Sequence, residues 1–120
     1  MRRMTFSGAV LAFACMMSAN VAQAHAILED SQPASHATVP AGPAAIELQF
    51  NSRIDRARSV LALLKPDASL ERLTIGGNAP PGVMRTQARL APGAYVLHWQ
   101  VLAVDGHITR GDLPFTAVAP

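Results

Sequence analysis

Tyr95-Val96-Leu97-His98-Trp99-Gln100-Val101-Leu102 decides the fold class. Its bulky residues Tyr95, Leu97, Trp99 and Val101 fall at every second position, with His98 and Gln100 between them. Side chains of an extended chain alternate between two faces, so this segment buries one face and leaves the other wetter. Ile46-Glu47-Leu48-Gln49-Phe50 repeats the pattern, with Gly42 and Pro43 ahead of it as turn residues. Residues 59–64 (Ser-Val-Leu-Ala-Leu-Leu) are a nearly continuous apolar run ended by Lys65-Pro66-Asp67, and residues 70–75 stop at Gly76-Gly77-Asn78. A weaker strand is expected between Pro80-Pro81-Gly82 and Ala91-Pro92-Gly93, and residues 113–118 supply the last one. Short strands with turn residues at this spacing predict an all-β sandwich or barrel. No segment has a convincing helical period, although residues 54–58 suit a single turn. There is neither an internal repeat nor a dividing linker.

The first stretch stands apart from that pattern. Arg2 and Arg3 precede an apolar run from Ser7 to Met17, and Ala22-Gln23-Ala24 presents small residues where a signal peptidase requires them. The run is shorter than the roughly 20 residues of a spanning helix. Residues 1–24 therefore read as a cleaved signal peptide, and residues 25–120 as one exported domain beginning His25-Ala26-Ile27-Leu28. A lipidated Cys15 is the minor alternative, but Ala12-Phe13-Ala14 is a poor signal for it. Without the leader the chain has no cysteine, which excludes disulfides, thiolate metal sites and cysteine nucleophiles, and Met84 is its one remaining methionine. The ten basic residues fall to eight when Arg2 and Arg3 leave, matching the eight acidic ones. No basic field remains to attract nucleic acid.

Two elements carry candidate chemistry. Freed at the N-terminus, His25 offers an α-amine, with a pKa of about 8, and an imidazole, with a pKa of about 6.5. The two can close a chelate ring on one metal. The second element is Asp105-Gly106-His107. In an extended chain the carboxylate and imidazole at i and i+2 share a side, with Gly106 leaving the approach open. Asp-Gly is also a favoured type I′ hairpin turn, and that plainer reading stands beside the first. Taken together, one amine, two imidazoles and one carboxylate form the nitrogen-rich set that suits tetragonal Cu(II). Calcium or magnesium would want more oxygens, and zinc a tetrahedral arrangement.

These residues also carry a resemblance. His25-Ala-Ile-Leu, Ser31-Gln-Pro33-Ala34, Ile46-Glu-Leu-Gln-Phe50, and Gly93-Ala-Tyr95-Val-Leu-His-Trp99 followed by Asp105-Gly106-His107, Gly111 and Phe115 resemble the CopC family of periplasmic copper-resistance proteins. The likeness spans essentially the whole of residues 25–120. It implies a single cupredoxin-like or immunoglobulin-like β-sandwich of Greek-key type, periplasmic and monomeric. It further implies one Cu(II) per chain on His25, Asp105 and His107, a role as copper carrier or buffer, and a CopD-type inner-membrane partner. The chain departs from some relatives in having only Met84 between Asn78 and Gln87, against a methionine-rich Cu(I) site. It has Asn51-Ser52-Arg53 where some carry an acidic ligand, and Ile108 where many have proline after the histidine.

The other polar candidates weigh less. His98 falls on the face opposite Tyr95, Leu97 and Trp99, where a solvent-facing strand residue is expected. His36 lies in a turn segment from which it could approach the metal, as an alternative to water in completing the site. Glu29 and Asp30 lie close to His25 in sequence and suit an outer-sphere role. Two competing functions remain at this stage. One is a copper-dependent oxidative enzyme, since paired histidines with an N-terminal member also resemble the copper brace of polysaccharide monooxygenases. The other is a metal-free immunoglobulin-like interaction domain.

Overall fold

The computed structural model describes residues 26–120, so the expected leader and His25 lie outside the described residues. Eight strands run in chain order: β1 Leu28–Gln32, β2 Thr38–Pro40, β3 Gly42–Phe50, β4 Ile54–Leu64, β5 Leu70–Leu73, β6 Val83–Leu90, β7 Gly93–Ala103 and β8 Ile108–Val118. They form a three-stranded sheet in the order β1-β3-β6 and a five-stranded sheet in the order β2-β8-β7-β4-β5. Only the β4–β5 and β7–β8 connections stay within a sheet; the others cross between the two, as a Greek-key sandwich requires.

Alternation builds the core. Ile46, Leu48 and Phe50 of β3 face Leu61 and Leu63 of β4, Tyr95, Leu97, Trp99, Val101 and Ala103 of β7, and Leu113, Phe115 and Ala117 of β8, all buried in one cluster. Met84 of β6 is buried with them and pairs with Leu48 in the β3–β6 ladder. Tyr95 stacks on Phe115 at 5.4 Å and its hydroxyl donates to the Ala91 carbonyl at 2.8 Å, so its polar end is satisfied inside the sandwich. The Trp99 ring meets Phe50 edge-on at 5.3 Å, joining the two sheets. It lies over Gly111, its cross-strand partner, where an added Cβ would come within 2.5 Å of the indole Cζ2.

Three local readings change. β1 and β2 escape the alternation pattern: β1 is a largely polar edge strand on β3, and β2 is three residues laid parallel to β8, Thr38 beside Thr116. Residues 54–58 do not form a helical turn. They belong to β4, whose register against β7 shifts between Asp55 and Val60. The buried Ser59 hydroxyl bridges the irregularity, donating to the Asp55 carbonyl at 2.7 Å and accepting from the Leu102 amide at 3.1 Å. A side chain thus supplies the ladder bond that the bulge removes.

The close approach of Trp99 to Gly111 makes Gly111→Ala a sensitive test. Overpacking of this kind costs about 1–3 kcal/mol. Urea unfolding should register the loss, and the emission of this single tryptophan should shift as its ring is displaced; an unchanged midpoint and spectrum would contradict the contact.

Candidate metal centre

Asp105 and His107 lie in the loop joining β7 to β8. The Ala103 carbonyl accepts from the Gly106 amide at 2.9 Å, and the Ala103 amide donates to the His107 carbonyl at 2.8 Å. Val104 and Asp105 are therefore the central turn residues, and Gly106 follows them at φ 95°. A type I′ turn centred on Asp-Gly would need positive φ at Asp105, which it does not have. The turn sits one residue earlier, in the three-residue hairpin form that ends in a left-handed glycine. The frame matters because it folds Asp105 back onto the chain that follows.

Asp105 and His107 meet, though through a turn rather than an extended strand. Asp105 Oδ1 accepts the His107 amide at 3.1 Å, and Oδ2 lies 2.7 Å from His107 Nδ1. The backbone amide first, and the ring N–H second, hold the Asp105 carboxyl below its ordinary value. A carboxylate oxygen carries more than one lone pair and an imidazole has two ring nitrogens, so both side chains are of a type that can ligate a metal. With metal–ligand bonds of about 2 Å, adjacent donors at right angles stand about 2.8 Å apart. The observed Nδ1–Oδ2 spacing is close to that edge, so the two groups stand near enough to ligate one cation once the shared proton leaves and the side chains turn toward it. Among the described residues no group of three His, Cys, Asp or Glu gathers around a metal position.

The start of the described chain comes to the same end of the sandwich. Ala26 is wholly buried in the core. The Ile27 amide donates to Asn51 Oδ1 at 2.8 Å and its carbonyl accepts the Asn51 amide at 3.0 Å. Two residues on, the Arg53 carbonyl accepts from the Val104 amide at 3.4 Å, which links this loop to the β7–β8 hairpin. Asn51 is thus a clamp for the start of β1. In the sequence it stands out only as a residue found where some relatives carry an acidic ligand.

The remaining candidates lie elsewhere. The His36 amide donates to the Pro114 carbonyl. Pro114 lies seven positions beyond His107 along β8, roughly 20 Å of extended chain. His36 is therefore not the residue that completes the site. His98 faces outward as expected, and its Nδ1 lies 2.6 Å from Asp112 Oδ1 on the outer surface of the five-stranded sheet. Met84 is fully buried, so its thioether is a core group.

The CopC domain matches residues 28–118. This chain belongs to the CopC family. The match takes in Asp105 and His107 and begins three residues after His25. Protein YobA of Escherichia coli K12 is 32% identical over 97 residues, covering 78% of each chain. Among solved structures, CopC from Methylosinus trichosporium OB3b is 31% identical with a TM-score of 0.70, over 79% of this chain and 95% of that one. PcoC, a methionine-rich copper resistance protein from Escherichia coli, is 26% identical with a TM-score of 0.66, over 78% and 99%. The β-sandwich is therefore the family fold, whereas this chain has one methionine, Met84, among its described residues.

The Asp105 hydrogen bonds set a pH dependence. A carboxyl held below its unfolded value adds stability above that value, and the contribution is lost as pH falls through the lowered one. In metal-free protein, NMR titration of Asp105 should give a midpoint below the ordinary 3.8. His107→Ala should move it part of the way back, since the residue-107 amide remains. A midpoint at or above 3.8 in the unaltered protein would rule out these bonds.

Proposed function

We propose that this chain is a periplasmic Cu(II)-binding protein of copper resistance and homeostasis, holding one Cu(II) per monomer on His25, Asp105 and His107. The observation that carries this reading is the paired Asp105 and His107 at the tip of the β7–β8 hairpin. The Asn51 clamp supports it, because it brings the beginning of β1 to the same loops. His25 precedes the buried Ala26 by one residue, and cleavage after Ala24 would give it a second nitrogen donor. The donor set is then three nitrogens and one carboxylate oxygen, which favours Cu(II) over harder or softer ions. Copper is the cargo here. The role is that of a carrier or buffer, not an enzyme, with delivery to a CopD-type inner-membrane partner. The copper-resistance relative PcoC supports the class of cargo.

Exposure suits such a task. The His107 side chain is 56% exposed, so a bound ion would lie within reach of an acceptor. Carboxylate coordination by Asp105 also occupies a position that an oxygen-activating centre would keep open. This favours the carrier over the oxidative enzyme.

The processed protein with one equivalent of Cu(II) should give an electron paramagnetic resonance spectrum with nitrogen coupling. Adding one residue before His25 keeps every side chain but moves the free amine. That change should weaken Cu(II) binding at least tenfold, about 1.4 kcal/mol. His107→Ala should do comparable damage and His98→Ala little. Binding should also weaken as pH falls, because protons compete for the amine and both imidazoles. If the extended chain binds as tightly as the processed one, the chelate is wrong.

Redox selectivity provides a separate check. Met84, the one sulfur of residues 25–120, lies in the core, so Cu(I) should pass readily to a Cu(I)-specific chromophore. Retention of Cu(I) against that competitor would contradict the assignment.

A further inference from the structure

The chain is held ahead of β1 more firmly than its own ladder requires. Pairing of β1 with β3 begins at Leu28, opposite Phe50. One residue earlier, both backbone groups of Ile27 are bonded to Asn51, the amide to its side-chain oxygen and the carbonyl to its amide. The Ile27 side chain is exposed, so burial of that side chain does not account for the hold. The loop from which Asn51 acts is itself braced. The Phe50 amide donates to the Gly82 carbonyl at 2.8 Å and the Ile54 amide to the Pro81 carbonyl at 3.1 Å. A Cβ on Gly82 would come within 2.9 Å of the Ser52 carbonyl oxygen, so this seat depends on glycine. The Arg56 guanidinium pins the same segment, donating to the Pro80 and Val83 carbonyls at 2.8 and 3.0 Å. On its other side the loop takes the Val104 amide on the Arg53 carbonyl, next to Asp105. Residues 51–53 thus tie the beginning of the described chain to the hairpin of Asp105 and His107.

We propose that Asn51 is a positioning residue that sets copper affinity, its side-chain amide fixing the N-terminal segment before the metal arrives. This assignment rests on the Cu(II) reading above and concerns the backbone of residues 26 and 27 alone. The first residues of a domain are loosely held unless something ties them down. A donor on a loose end must be ordered when the metal binds, and that ordering subtracts from affinity. With Ile27 tied at both backbone groups, the ordering is complete on folding, and the chain that leads back to the N-terminus starts from a fixed point. Asn51 suits this task better than ligation, because an amide oxygen is a poor ligand for Cu(II) beside nitrogen donors.

Asn51→Ala tests this, since it leaves every candidate donor in place. In the metal-free processed protein, hydrogen exchange of the Ile27 amide, followed by NMR, should quicken while the urea midpoint stays close to the unaltered value. Cu(II) affinity, measured by competition with a chelator, should fall about fivefold, the scale of one net hydrogen bond. The electron paramagnetic resonance spectrum of the loaded variant should keep the same nitrogen coupling. Asn51→Asp offers a carboxylate oxygen to the same Ile27 proton. It should restore slow exchange and bring affinity back at least to the unaltered value. Unchanged exchange or unchanged affinity in Asn51→Ala overturns the proposal. So does an altered spectrum in that variant, which would make Asn51 a ligand. A fall in urea midpoint and affinity together, without rescue by aspartate, makes Asn51 a merely structural residue and overturns it too. Absence of nitrogen-coupled Cu(II) in the unaltered protein would instead reject the parent reading, so the two failures are distinguishable.

Discussion

The contact on which the arrangement depends is the Trp99 indole laid over the bare backbone of Gly111 and meeting Phe50 edge-on. Trp99 and Gly111 belong to the five-stranded sheet and Phe50 to the other, so one ring sets the separation of the layers at this end. Its neighbours in sequence are the residues that matter for the candidate centre. Phe50 leads directly into Asn51, which clamps the beginning of β1, and β8 carries Gly111 four residues after His107. The packing of a large aromatic against a glycine thus transmits into the positions of three loops. Polar groups at a solvent-facing end need such a fixed base, because water competes with every hydrogen bond they make.

Much of the fold was legible because burial imposes a two-residue period on strands that cover a core. Tyr95, Leu97, Trp99 and Val101 announce β7, and Ile46, Leu48 and Phe50 announce β3. β1 was silent for a physical reason: it pairs on one side only, and its Glu29, Asp30 and Gln32 face water. β2 is too short for any period to develop. Residues 54–58 misled because a bulge breaks the alternation locally, and only the cross-strand bonds of Ser59 reveal that the strand continues.

The candidate centre was legible in its donors and less so in their surroundings. The types and spacing of Asp105 and His107 are visible in the sequence, whereas the turn frame that brings them together depends on the φ of Gly106. His36 illustrates the limit of nearness in sequence: it lies eleven residues from His25, yet its partner is Pro114, well along β8. Asn51 was visible only as a departure from an acidic ligand; its clamping of Ile27 is a fact of tertiary position that no local pattern carries.

The parallel pairing of β2 with β8 has a consequence for how the chain tolerates cutting. Thr38, near the beginning of the domain, bonds beside Thr116, near its end, and the Ala41 amide reaches the Val118 carbonyl. The edge of the larger sheet is therefore sealed by joining an early segment of the domain to its last strand. Removing the last strand would strip β7 of one of its two neighbours and leave β2 without any ladder at all. New termini opened elsewhere, for instance in the exposed β4–β5 turn at Asp67-Ala68-Ser69, would leave that seam intact. A chain nicked there is thus better placed to keep the native architecture than one that has lost its last strand.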